Sequence, residues 1–135
     1  MKKQIEVSRV EVISIYNACA KLSEVEKLPF EVRQCAARNI RSLSKEAEES
    51  SKLQQELLEE FAEKDEHGDI KLSESKRVVF KAGLKNDYIA QLKKIQEEEV
   101  SVTIYSIDYK LLSRVDIPGS IEAALLDTVI EDDNK

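Results

Sequence analysis

One stretch constrains this chain more than any other. From Pro29 to about Glu63 there is no glycine and no second proline, and apolar or small residues recur at helical spacing. Ala36, Ile40, Leu43, Ala47, Ser50, Gln54, Leu57 and Phe61 follow one another at alternating intervals of four and three residues. That pattern predicts a single helix over 29–63, about 50 Å long, with one side turned to neighbouring structure. Two seam positions, Ser50 and Gln54, are polar. Polar groups on a seam weaken packing and can fix register or partner.

Such a helix cannot bury its own apolar stripe, so the remaining segments must supply cover. Ser8 and Glu11 have the spacing of a capping box at a helix start and predict a helix over 9–24. Its stripe is Val10, Ile13, Asn17, Ala20 and Glu24, widened by Val12, Ile15, Tyr16, Cys19 and Leu22. Leu28-Pro29 separates it from the long helix. Phe80, Leu84, Tyr88, Leu92 and Ile95 predict a third helix over 75–96, weakened at Gly83. Residues 64–74 then form the connecting turn.

Charge favours laying the third helix against the second. Lys45 to Asp69 contains ten acidic residues and three lysines, whereas Lys71 to Lys94 contains seven basic and two acidic residues. An antiparallel hairpin places these segments side by side.

Two short stretches are β-compatible. "KQIEV" predicts a strand at 3–7. "VSVTIYSI" predicts one at 100–107, with Val100, Val102 and Ile104 on one face. A lone strand is unstable, so these two are each other's best partners, with "DIKL" (69–72) second. After Pro118, "SIEAALLDTVI" predicts a short C-terminal helix over 120–130, followed by a frayed acidic end. Together these readings give one domain over 1–135. Its class is α+β, mainly α: a long antiparallel helical hairpin with a small β-sheet and a short C-terminal helix. No internal repeat is evident.

The chemistry-bearing residues are few. The only histidine, His67, lies in "FAEKDEHGDIKL" beside several carboxylates. A calcium loop would place its glycine at position six and a glutamate at position twelve. Counting from Asp65, Gly68 falls at position four and Lys76 at twelve. The stretch therefore reads as a turn, with Gly68 supplying a left-handed backbone. The two cysteines, Cys19 and Cys35, sit among apolar residues and read as reduced core thiols. No catalytic, cofactor or metal site is assigned.

The net charge of −6 disfavours broad nucleic-acid binding. No apolar run approaches the roughly 20 residues of a membrane span. One local exception to the acidic balance is the basic cluster Arg33, Arg38 and Arg41, with Lys27 nearby. Arginine suits carboxylate or phosphate recognition. Together with the outward apolar positions Val32, Leu53 and Leu58, it forms the candidate interaction surface.

The order of features resembles a family of small uncharacterised proteins from tailed bacteriophages and prophages. The matching residues are Lys27-Leu28-Pro29, Glu63-Lys64-Asp65-Glu66 with Gly68, and Glu97-Glu98-Glu99-Val100. Ala62 stands where that group often has glycine. The resemblance implies a phage origin and a helical hairpin and brings no catalytic residues. The expected role is a non-enzymatic phage protein acting through protein–protein contact, in particle assembly. One alternative is a host-directed inhibitor or anti-defence protein that occludes a host protein. A second is a small metal-binding or catalytic factor using the His67 loop. The expected partner is a protein (a second copy, a phage protein or a host protein), with a homodimer through the long helix. The expected location is the host cytoplasm or the virion.

Overall fold

The computed structural model describes residues 2–112, 115, 117–126 and 128–131. The elements, in chain order, are β1 (Lys2–Ser8), α1 (Arg9–Leu22), α2 (Phe30–Phe61), α3 (Lys85–Glu97), β2 (Glu99–Tyr105), β3 (Ile107–Asp108), a 3₁₀ turn (Tyr109–Leu112), α4 (Gly119–Leu125) and β4 (Ile130–Glu131). The fold is α+β and mainly helical. No helix among the described residues is long and apolar enough to cross a membrane.

Ser8 starts α1 as its capping residue: its Oγ accepts the Glu11 N–H at 3.3 Å and donates to the Glu11 carboxylate at 3.1 Å. The helix ends at Leu22 with Ser23 as cap, two residues earlier than the stripe suggested. Its core side is Val12, Ile15, Ala18, Cys19 and Leu22, whereas Val10 is 45% exposed. Four of these, Val12, Ile15, Cys19 and Leu22, were expected only to widen the face, whereas Tyr16 of that set is half-buried and Ala18 joins the core unannounced.

In α2 the seam is inward as expected. Ala36, Leu43, Ala47, Ser50, Leu57 and Phe61 are buried, and Ile40 and Gln54 are half-buried. The core that α2 shares with α1, the β1–β2 sheet and α4 includes Leu22, Val32, Leu43, Ile104 and Leu125. Strands β1 and β2 are antiparallel, with Ile5 opposite Val102 and Val7 opposite Val100. The strand at 100–107 ends at Tyr105, and Ile107–Asp108 instead pairs in parallel with Ile130–Glu131. The C-terminal helix runs only over Gly119–Leu125. The frayed acidic end, beyond Glu131, lies outside the described residues.

The third helix begins ten residues later than 75. Residues 62–81 form three short extended segments, 62–65, 69–73 and 77–81, whose backbones close a ring. Glu63 N–H donates to Val79, Val79 N–H to Lys71, and Lys71 N–H to Glu63, at 2.8, 3.0 and 2.8 Å. The turns between them recur every eight residues: Gly68, Lys76 and Leu84 each donate to the carbonyl three residues back, at Asp65, Ser73 and Lys81. This is a structural repeat that the sequence alone did not announce. Lys76 and Gly83 have φ of +62° and +75°, which no helix tolerates. Phe80 nevertheless stacks on Tyr88, with ring centroids 4.9 Å apart. A turn residue packed on a helix residue thus imitates helical spacing.

Tyr88, near the start of α3, also lies 6.3 Å from Phe61 at the end of α2. At the far end of α3, Glu98 meets the buried Arg9, which also reaches Ser50 (3.2 Å) and Glu46 (3.7 Å) on α2. The polar seam residue Ser50 thereby serves as the acceptor for a guanidinium. Among the described residues no ion pair joins α2 directly to α3; the charge contrast between 45–69 and 71–94 is realised as Glu63–Lys71 at 3.7 Å.

Candidate functional site

The sequence contrast between acidic chain and basic cluster leads to one face of α2. Asn39 is completely buried although it is polar. Its side-chain amide meets the backbone of Tyr105 as a neighbouring strand would: Nδ2 donates to the Tyr105 carbonyl and Oδ1 accepts the Tyr105 N–H, both at 2.8 Å. One turn further on, Ser42 Oγ donates to the Thr103 carbonyl at 2.6 Å. Two side chains of α2 thus satisfy the outer edge of β2 and hold the strand against the helix.

That clamp fixes a groove of about 380 Å³ between α2 and the outer face of the sheet, lined by Lys2, Arg38, Arg41, Ser42, Thr103 and Tyr105. The Arg38 guanidinium stands 5.6 Å from the Tyr105 ring centroid, within cation–π range. Among the described residues no carboxylate comes within 4.0 Å of Lys2, Arg38 or Arg41. Three cations without a carboxylate partner among the described residues, with hydroxyls and an aromatic face, suit a carboxylate-bearing ligand.

Of the residues singled out in the sequence, Arg38 and Arg41 come together here. Arg33 and Lys27 are exposed but stand outside the groove. Val32 is not outward at all: it is fully buried in the core, because α1 and the sheet cover that side of α2. Leu53 and Leu58 are half-buried. The expected apolar strip therefore loses its first member, and no continuous strip runs along α2. Lys2, Ser42, Thr103 and Tyr105 were missed. Their juxtaposition depends on sheet register, which spacing in one sequence cannot supply. Asn39 was missed too, although a polar residue at helical spacing beside the apolar positions Ala36, Ile40 and Leu43 is a signal that could have found it.

The remaining reactive groups are placed differently. His67 is exposed in the first turn of the ring, where its backbone N–H and that of Asp69 donate to Asp65 Oδ1 at 2.8 and 3.0 Å. The Asp65 carboxylate is thus engaged in building the turn. Gly68 has φ of +80°, as its position required. Among the described residues no three His, Cys, Asp or Glu side chains gather as metal ligands would. Both cysteines are free and buried. Burial, with a smaller contribution from Cys35, pushes the Cys19 thiol up to about 12. Burial likewise pushes Cys35 up to about 11, and its Sγ donates to the Tyr105 carbonyl at 3.1 Å. Thiols so held are almost wholly protonated at neutral pH and make poor nucleophiles. Comparison with protein-family models, curated proteins and solved structures finds no match to this chain.

Proposed function

We propose that this is a non-enzymatic interaction protein of a tailed bacteriophage or prophage, and that its groove receives an acidic segment of a protein partner. One observation carries the reading. In a chain of net charge −6, the cations of Lys2, Arg38 and Arg41 line one groove with no carboxylate partner among the described residues. A cation left exposed and unpaired beside an aromatic ring is available to an incoming carboxylate. A long polyanion is a poorer fit. The same helix carries Glu46, Glu48 and Glu49 one to two turns beyond the groove, and these repel an extended phosphate backbone.

In this reading α2 and α3 form a long antiparallel helical hairpin. Support comes from the two ends of α3: Tyr88 lies beside Phe61, and Glu98 shares Arg9 with Ser50. The reading also agrees with the inert setting of the cysteines and the exposed, turn-building setting of His67.

The test is fluorescence anisotropy with a labelled glutamate-rich peptide against a lysine-rich and a neutral control. The acidic peptide alone should bind, more weakly as salt rises. Arg38→Glu and Arg41→Glu should each weaken it by roughly tenfold or more. Equal binding of all three peptides, or full affinity in the double variant, would refute the groove as the site.

A further inference from the structure

The sheet has a second edge, and its geometry is set by the first. In an antiparallel pair, opposite residues alternate between exchanging both backbone hydrogen bonds and turning both sets of groups outward. Thr103 and Tyr105 turn theirs outward, since Ser42 and Asn39 receive them. Their opposites on β1, Gln4 and Lys2, must therefore also turn outward, on the other side of the sheet. By the same period of two, Glu6, opposite Ser101, does so as well. Lys2, Gln4 and Glu6 are all exposed, and among the described residues their N–H and C=O groups find no backbone partner. The β2 edge is engaged by side chains of α2 at Thr103 and Tyr105, whereas β1 carries neither proline nor bulge to block pairing.

We infer that this edge pairs with β1 of a second copy, making one antiparallel sheet in the order β2–β1–β1–β2. The register follows from charge. With Gln4 opposite Gln4 of the second copy, Lys2 faces its Glu6 and Glu6 faces its Lys2. All three residues then sit at positions where both backbone bonds are exchanged. Sliding the pair by two residues sets Lys2 against Ser8 or Gln4 and loses both charge pairs. Sliding it by one sets outward groups against inward ones. Only one register satisfies backbone and charge together. The contact is a single short strand per copy, so the dimer is a weak one. It relocates the self-association expected of α2 to the sheet, and it shares only Lys2 with the peptide groove: Arg38 and Arg41 lie on α2 and remain open.

Sedimentation velocity across micromolar to high-micromolar concentrations tests this. The protein should shift from monomer toward dimer. Lys2→Glu places like charges opposite each other twice in a symmetric dimer and should weaken association by about tenfold or more. The double variant Lys2→Glu with Glu6→Lys restores both pairs and should restore the dimer. Gln4→Pro removes an outward N–H without touching the β1–β2 ladder and should leave a folded monomer. Lys2 is exposed, so its variant reads association even if the proline variant fails to fold. Wild-type protein that stays monomeric throughout, or a dimer that is unchanged in Lys2→Glu, overturns the proposal. Arg41→Glu should disturb peptide binding and leave the dimer intact, which separates failure of one reading from failure of the other.

Discussion

Asn39 carries the join between α2 and the sheet, and replacing it should reveal how much that join is worth. Asn39→Ala removes two hydrogen bonds of 2.8 Å to the Tyr105 backbone. Each contributes about 1 kcal/mol net, and the Tyr105 N–H left without a partner adds a desolvation penalty of about 1–2 kcal/mol. The Tyr105 carbonyl keeps the Cys35 thiol as a donor, which limits the loss. The expected destabilisation is about 3 kcal/mol, a fall in Tm of about 10 °C for a chain of this size. Asn39→Asp gives a sharper signature. An ionised carboxylate there would be buried against the Tyr105 carbonyl, whereas a protonated one can accept from the Tyr105 N–H and donate to the carbonyl. The folded-state pKa of the introduced acid is therefore raised above its ordinary value of about 4. Stability should be close to wild type below that ordinary value and fall as pH rises through the raised one. Urea denaturation followed by circular dichroism from acid to neutral pH measures both variants. An Asn39→Ala loss below about 0.5 kcal/mol, or an Asn39→Asp protein unaffected by pH, would show that the amide does not hold the strand.

The other expectations are simpler. Cys19 and Cys35, raised by burial to about 12 and about 11, should be unreactive toward a thiol reagent at pH 8 in native protein and fully reactive in denaturant. Because both folded values exceed the unfolded one, stability is intact below about pH 9 and should decline as pH climbs toward the folded values, by up to about 1.4 kcal/mol per unit for each thiol. His67→Ala should leave the melting temperature unchanged and equilibrium dialysis should find no stoichiometric zinc, whereas Asp65→Ala, which removes two acceptor contacts, should loosen the turn by about 1 kcal/mol and speed amide exchange at His67 and Asp69. Leu57→Asp buries a charge in a position only 6% exposed and should cost at least about 3 kcal/mol by thermal melting.

The long helix, its inward seam and the pairing of β1 with β2 were legible because each rests on a periodicity that one sequence displays. The seam residues recur at helical spacing, and Val100, Val102 and Ile104 alternate. The stretch 75–84 was misread for a physical reason. Phe80 and Leu84 continue the stripe of Tyr88, Leu92 and Ile95, but Phe80 reaches that face by stacking across a turn. Two positive φ angles, at Lys76 and Gly83, decide against a helix, and only the glycine hinted at it. The ring at 62–81 was invisible because its recurrence lives in backbone hydrogen bonds: Gly68, Lys76 and Leu84 share a role without sharing a side chain. Val32 was misplaced because a helix covered by α1 on one side and the sheet on the other buries more than its seam. The groove was half legible. Arg38 and Arg41 lie one turn apart on α2, while Lys2 and Tyr105 join them only through the opposition of β1 and β2.

The central claim is that a protein partner is held through the Arg38 and Arg41 groove. Quantitative affinity capture from the cells that carry this chain, comparing wild type with Arg38→Glu/Arg41→Glu by mass spectrometry, tests it most directly. A partner should be enriched by wild type and lost from the variant, with an acidic segment at the cross-linked site. A virion protein among the lost partners would assign the role to particle assembly, and a host protein would assign it to occlusion of that protein. The same set of proteins retained equally by both forms would contradict the claim.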